Sequence, residues 1–388
     1  MKILFVCNEY PPSPHGGIGS FVFTLAHKLS DLGHQIFVLG FDESYTRDSV
    51  EDDQGVIVYR IVSPHVNSKK FRFSRFTISP RIILDRMYLS KKIDELVILK
   101  GIDIVESYDW SGPIWSKPKA PLVVRLHGAN SAHQYFEHKK QSHLLRFFER
   151  RNIKFADQII AVSEHIGKLT LRALNLDHKN YHVIYNGVDT NLFYDWKVNR
   201  NQEEILYVGS VSRRKGILEL FQAYSLVLKE KPDTKLTLVG SLPDGEQKTT
   251  LISNLLSFLP ADNHENVKFL GRIPLESLPE YYNRATIAVF PSLAEAFGLT
   301  CAEAMACGTP IIMTNRASGP ELIENGKSGL LVDVKNIIDF SKKIIYLLDN
   351  PEICADLGKN AINKVFSTFD LDSIVKLNEK IYKDIIYG

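Results

Sequence analysis

Apolar and polar positions follow two patterns along this chain. Short runs rich in Val, Ile and Leu recur between longer stretches whose apolar residues fall at helical spacing. In the first half the runs are KILFVCN (2–8), HQIFVLG (34–40), VIVYRIV (56–62), DIVESY (103–108), LVVRLHG (122–128), QIIAVS (158–163) and HVIYNG (182–187). In the second half they are EILYVGS (204–210), KLTLVG (235–240), VKFLG (267–271), TIAVFPS (286–292), PIIMT (310–314) and GLLV (329–332). A strand that is apolar at consecutive positions has both faces covered, so runs separated by helices predict parallel sheets packed between helical layers. Between the two sets lies 191–204, NLFYDWKVNRNQEE, which is polar and follows neither period, and reads as a linker. The prediction is α/β: a Rossmann-like domain over 1–192, a second over 204–370, and a C-terminal helix over 371–388. Ligands of such sheets bind beyond the carboxyl ends of the strands.

Composition narrows the chemistry. At 388 residues, with 44% hydrophobic and 24% charged content, the chain can bury two ordinary cores. A net charge of +2 argues against a general nucleic-acid binder. Cys7, Cys301, Cys307 and Cys354 form neither a CxxC pair nor a disulfide framework, which points to a reducing compartment. The leading run ILFVC is too short for a signal peptide, and no stretch approaches the roughly 20 apolar residues that span a bilayer. The expected location is cytoplasmic, at most peripheral on the inner face of the membrane. Lys69, Lys70, Arg72, Arg75, Arg81, Arg86, Lys91 and Lys92 stand against one acid, Asp85, with Phe71, Phe73, Phe76 and Tyr88 among them. Such a patch over 69–92 suits an anionic lipid surface or a pyrophosphate-linked acceptor, and equally a solvated loop and helix face.

The stretch SLAEAFGLTCAEAMACGTPII (292–312) holds Glu295 and Glu303 across a loop that runs into a helix. With the helix starting near Gly298, its free N–H groups can hold a diphosphate while the carboxylates hydrogen-bond sugar hydroxyls on either side. Taken alone, Glu295 also reads as a surface acid favoured by the helix dipole. Strand EILYVGS leads to Arg213, Arg214 and Lys215, three cations where a diphosphate can be neutralised, or a solvated basic turn. Near the N-terminus Gly16, Gly17 and Gly19 precede an amphipathic helix. Their spacing is not GxGxxG, and Phe41 rather than an acid follows HQIFVLG, so a dinucleotide site is poorly supported. The acids of DLD (370–372) open the terminal helix, and nothing in the sequence requires a metal.

In this order the motifs resemble the family 4 glycosyltransferases (glycosyltransferase group 1). That resemblance implies the GT-B fold, two Rossmann-like domains facing across a cleft with the C-terminal helix crossing back to the first. It implies a retaining, metal-independent transfer from a nucleoside diphosphate sugar, UDP- or GDP-linked, to a hydroxyl of a saccharide or lipid-linked acceptor in glycan synthesis. No other cofactor is implied. Glu295 is then expected beside the transferred sugar and Glu303 at the ribose, with Phe297, Gly298 and Leu299 as the turn between them. Lys215 matches the family lysine on the phosphates. Ser210 stands where the family has an arginine, so the second cation is Arg213, Arg214 or absent. Gly16 and Gly17 match the loop that touches the donor, and Gly271, Arg272 and Ile273 lie near the base. His127 matches a histidine next to the transferred sugar, completing a catalytic set of Glu295, His127 and Lys215. Arg125 shares its face by strand alternation and is a candidate for acceptor or sugar. Ser163 (in AVSE) and Asn186 (in YNGVD) sit at strand ends, either on the cleft or capping loops. Two alternatives stand beside this: a nicotinamide oxidoreductase, from the Rossmann-like alternation alone, and a non-catalytic sugar-nucleotide or glycan-binding protein, at which Ser210 hints.

Overall fold

The structure, a computed structural model, describes residues 1–12, 16–41, 47–62, 80–136, 140, 143–201 and 203–388. The chain forms two compact units, Met1–Tyr185 together with Ile374–Gly388, and Asn186–Ser373.

The first unit contains β1 (Lys2–Val6), α1 (Gly17–Asp31), β2 (Gln35–Phe41), β3 (Ser49–Asp53), β4 (Val56–Ile61), α2 (Pro80–Lys100), β5 (Ile104–Tyr108), β6 (Leu122–Leu126), α3 (Asn130–Phe136), α4 (His143–Phe155), β7 (Gln158–Ala161), α5 (Glu164–Ala173) and β8 (His182–Val183). Its sheet runs β3-β4-β2-β1-β5-β6-β7-β8. All pairings are parallel except β3 with β4. The direction of travel across the sheet reverses between β1 and β5, which places the loops that follow these strands at the switch point where such sheets bind ligands. β3, SVEDD, has no counterpart in the predicted strands: it is a mostly exposed edge strand turned onto β4 through Gln54 and Gly55, both at positive φ.

The second unit contains β9 (Glu204–Val208), α6 (Ile217–Glu230), β10 (Lys235–Val239), α7 (Glu246–Leu256), β11 (Val267–Gly271), α8 (Leu278–Arg284), β12 (Ile287–Phe290), α9 (Leu299–Ala306), β13 (Ile311–Thr314), α10 (Gly319–Leu322), β14 (Leu330–Val332), α11 (Ile337–Asp349), α12 (Pro351–Thr368) and the start of α13 (Leu371–Tyr387). Its sheet is wholly parallel in the order β11-β10-β9-β12-β13-β14, with the reversal between β9 and β12. Fully buried Ile205, Tyr207, Leu236, Leu238, Ile287 and Val289 pack on Leu220, Phe221 and Tyr224 of α6. Burying each such side chain contributes about 1.5–3 kcal/mol.

The stretch 191–204 belongs to this unit. Asn283 Oδ1 accepts the Trp196 N–H at 2.8 Å, and Arg200 donates to the carbonyls of Tyr282, Asn283, Ala285 and Cys307 at 2.8–3.1 Å. From Ile374 onward α13 is part of the first unit. His34 bridges the N-terminal amine at 3.1 Å and Glu379 at 2.9 Å, and Asn378 and Tyr382 bond the buried Arg125–Glu106 pair. Asp370 accepts from Thr190 and from both the N–H and hydroxyl of Ser373, so the DLD acids serve the start of this helix. Among the described residues no group of His, Cys, Asp and Glu could hold a metal ion, and no helix is long and apolar enough to cross a membrane.

Candidate functional site

The loops after β9 and β12, neighbours at the switch point of the second sheet, are pressed together. Gly216 adopts φ +72°, and a Cβ there would lie 1.9 Å from the Pro291 carbonyl oxygen, so only glycine fits. Two residues from that contact on each loop, the Arg214 carbonyl accepts the Leu293 N–H at 2.9 Å. Lys215 Nζ therefore reaches Glu295 Oε2 at 2.5 Å, with Ser292 Oγ donating to the same oxygen at 3.0 Å. The side chains of Lys215 and Glu295 are 19% and 14% exposed, reachable by a ligand yet mostly out of water. Burial alone would raise the Glu295 pKa, but the lysine charge and hydrogen bond outweigh it and hold the group below the ordinary carboxylate range.

The turn 297–299 opens α9. Gly298 takes φ +99° as N-cap, and no side chain caps the helix, whose first-turn N–H groups carry the positive end of its dipole. Phe297 is buried edge-on against Phe369 at 5.4 Å, so its side chain serves packing and its backbone shapes the turn. Glu303, on the fifth residue of α9, is 5% exposed and accepts from Tyr282 Oη at 3.1 Å. Burial pushes its pKa up to about 8 against the hydrogen bond's opposing pull. The two glutamates thus have opposite electrostatic settings, one paired with a cation and one buried beside a phenol.

The three cations after β9 separate by partner. Arg213 pairs with Glu219 of α6 at 2.7 Å. Arg214 is exposed and is in no ion pair among the described residues, while its charge helps to hold Glu295 ionised. The Ser210 hydroxyl sits 3.2 Å from that of Ser212, and the Ser210 carbonyl accepts from Tyr207 Oη at 2.7 Å. The loop after β10 packs close by, since a Cβ on Gly240 would stand 1.9 Å from the Gly209 oxygen. Gly240 N–H in turn donates to Gly271, which places Gly271, Arg272 and Ile273 at the carboxyl end of β11 on the same edge of the sheet.

In the first unit, Gly16 is the N-cap of α1 and Gly17 its first residue. The Gly16 N–H donates to Glu9 at 2.9 Å, and residues 13–15 of that loop lie outside the described residues. His127 follows β6, its ring 5.2 Å from Phe21 in a T-shaped contact. Burial, with the neighbouring Arg125 charge, pushes its pKa down to about 3, so the imidazole is neutral at any ordinary pH.

These positions bear on three expectations. Arg125 shares the His127 face, as alternation predicts, but it is 0% exposed, with Nε and Nη2 bonded to Glu106 and Asn378 and the guanidinium over the Phe21 ring, so what the structure shows it doing is holding α13. Ser163, expected either on the cleft or as a cap, is buried and caps α5 by accepting from the Ile166 N–H at 3.1 Å. In the basic patch, 69–79 and the Arg81 side chain lie outside the described residues. Arg86 is turned inward onto the Ser111 and Gly112 carbonyls, and Lys91 and Lys92 pair with Glu95. Asn186 keeps a buried Oδ1 with no partner among the described residues. Sequence reasoning missed Asp109 and Glu149, buried acids beneath the loops that lead to and from His127.

Residues 15–192 match the family described as Glycosyltransferase Family 4, and residues 189–364 the family described as Glycosyl transferases group 1. An uncharacterized glycosyltransferase of Methanocaldococcus jannaschii is 26% identical, covering 99% of this chain and 98% of its own. Among solved structures, sucrose-phosphate synthase from Thermosynechococcus elongatus superposes with TM-score 0.82 at 22% identity, over 99% of this chain and 98% of that one. Anabaena HepE in complex with UDP and glucose does so with TM-score 0.71 at 20% identity, over 98% and 99%.

Proposed function

Because the chain belongs to the family 4, group 1 glycosyltransferases, with a GT-B fold, and transfers sugar from a nucleotide sugar, we propose that it does so with retention, without a metal, and by the residues assembled around Lys215 and Glu295. The observation that carries this reading is the ion pair itself, formed between the loops of the two strands that flank the switch point of the second sheet. The leaving group is a nucleoside diphosphate, already a stable anion, so the main task is to stabilise charge on its departing oxygen. Lys215 and the uncapped N-terminus of α9 supply that charge, and Arg214, the uncommitted cation, supplies what Ser210 lacks. The departing phosphate oxygen takes the acceptor's proton as the acceptor oxygen bonds the anomeric carbon on the face being vacated. Glu295 orients the sugar, Glu303 the ribose, Gly271 to Ile273 border the base, and Gly16, Gly17 and neutral His127 serve the donor and its sugar.

The Anabaena neighbour was solved with UDP, which makes uridine diphosphate sugars the first donors to try. A saccharide or lipid-linked acceptor and a place on the inner membrane face belong to the same proposal. The test is a thermal-shift panel of UDP- and GDP-sugars, followed by NMR of the transferred sugar's anomeric configuration in the presence of EDTA. One donor should raise the melting temperature and yield product of unchanged configuration. Inverted product, or transfer abolished by EDTA, would refute the mechanism.

A further inference from the structure

Two acids of the first unit are 0% exposed and accept hydrogen bonds from backbone amides. Asp109, just after β5, accepts the N–H of His127 at 3.0 Å on Oδ1 and that of Gly128 at 3.1 Å on Oδ2. Glu149, from α4, accepts the N–H groups of Ser111, Asn130 and Ser131 at 2.8–3.0 Å. Between them, two carboxylates gather five amides of the loops after β5 and β6. Arg86 completes the frame by donating to the Ser111 and Gly112 carbonyls, with its guanidinium 4.2 Å from the Phe148 ring. The loop has no room to relax: Ser111 and Gly112 both take positive φ, and a Cβ on Gly112 would lie 2.3 Å from the Phe148 backbone.

Neither acid has a cation within ion-pair distance among the described residues, and burial pushes Asp109 up to about 7 and Glu149 above its ordinary range. That penalty falls on the residues beneath the one histidine assigned to the sugar. We propose that Asp109 and Glu149 are positioning residues that fix the His127 backbone, and through it the seat of the imidazole between Phe21 and the end of β6. The inference rests on the assignment of His127 to the transferred sugar, and it adds the groups that set its pose. The side chains around this seat are Phe21 from α1, Arg125 from β6 and, beyond Gly128, His133 from α3, while the Asp109 carboxylate from the end of β5 lies against the backbone of residues 127 and 128. If the loop lets go, the edge contact to Phe21 does not by itself fix the ring at the end of β6.

The conservative variant Asp109→Asn tests this, because an amide keeps one acceptor oxygen but turns an NH2 group toward the second N–H. In full-length chain carrying labelled histidine, NMR titration of the His127 ring and hydrogen exchange of the His127 and Gly128 amides are read with no ligand added. In the wild type the ring should stay neutral down to pH 5 and both amides should be protected. In D109N the ring's titration should move up toward the ordinary 6.5 and the amides exchange at least about tenfold faster. Glu149→Gln, which loosens Ser111, Asn130 and Ser131, should move the ring in the same direction by less. A folded D109N whose ring and amides behave as in the wild type would overturn the proposal. Should D109N not fold, an unmoved ring in E149Q would do so. Because neither readout is turnover, undiminished donor use by H127A would separately sink the sugar assignment.

Discussion

Removing Lys215 should cost more than the loss of one contact, because it strands a carboxylate. In Lys215→Met the Glu295 side chain, 14% exposed, keeps only the Ser292 hydrogen bond. Breaking a buried ion pair from one side costs about 3–5 kcal/mol, and the residual exposure of both partners lowers this to roughly 2–3 kcal/mol. The second unit has the size for which each kcal/mol moves the melting temperature by about 2–4 °C, so K215M should melt about 5–10 °C lower. The double variant K215M/E295Q removes the stranded charge and should recover at least half of that loss. Acid titration gives an independent check. The folded pKa of Glu295 is depressed, so its stabilisation is present above the ordinary value of 4.5 and is lost as pH falls through the folded value. E295Q should therefore flatten the acid limb of stability against pH. Calorimetry and urea denaturation measure these quantities, and isothermal titration of UDP separates folding from ligand binding: the double variant should regain stability without regaining affinity. A double variant no more stable than K215M would refute the account of the pair.

Gly216→Ala combines a left-handed backbone with a methyl 1.9 Å from the Pro291 oxygen, and should lower stability by about 3 kcal/mol or more; an unchanged urea midpoint would contradict the packing of the two loops. Glu303 runs opposite to Glu295. Its folded pKa of about 8 lies above the ordinary 4.5, so the folded state holds the extra proton and stability should fall as pH rises between those values, by on the order of 2–4 kcal/mol. Glu303→Gln should abolish that slope in pH-dependent melts, and an identical slope in the variant would show that another group titrates.

The sheets were readable because doubly covered parallel strands are apolar at every position, as in IAVF of β12 and IIMT of β13. β3 escaped for the converse reason: SVEDD lies exposed on an edge, and only the Gln54–Gly55 turn ahead of VIVYRI marks it. The positions of Lys215 and Glu295 on loops and of Glu303 on the helix that follows were legible in the motif, whereas the opposite electrostatic settings of the two glutamates depend on burial that spacing does not encode. Arg125 was placed on the correct face, but its burial comes from Asn378 and Tyr382, far away in sequence. Glu149 did leave a trace. It stands on the same stripe of α4 as buried Phe148, Asn152 and Ile153, and an acid on an apolar stripe signals a partner waiting in the interior.

The return of Ile374–Gly388 to the first unit bears on how the protein is made. Synthesis proceeds from the amino end at about 5–20 residues per second, and the leading domain generally folds first. Here the strands of that domain leave the ribosome long before the segment that covers Arg125 and Glu106. Until that segment is made, a charged pair destined for the interior stays open on the nascent chain, and the first unit closes only after the second has been made.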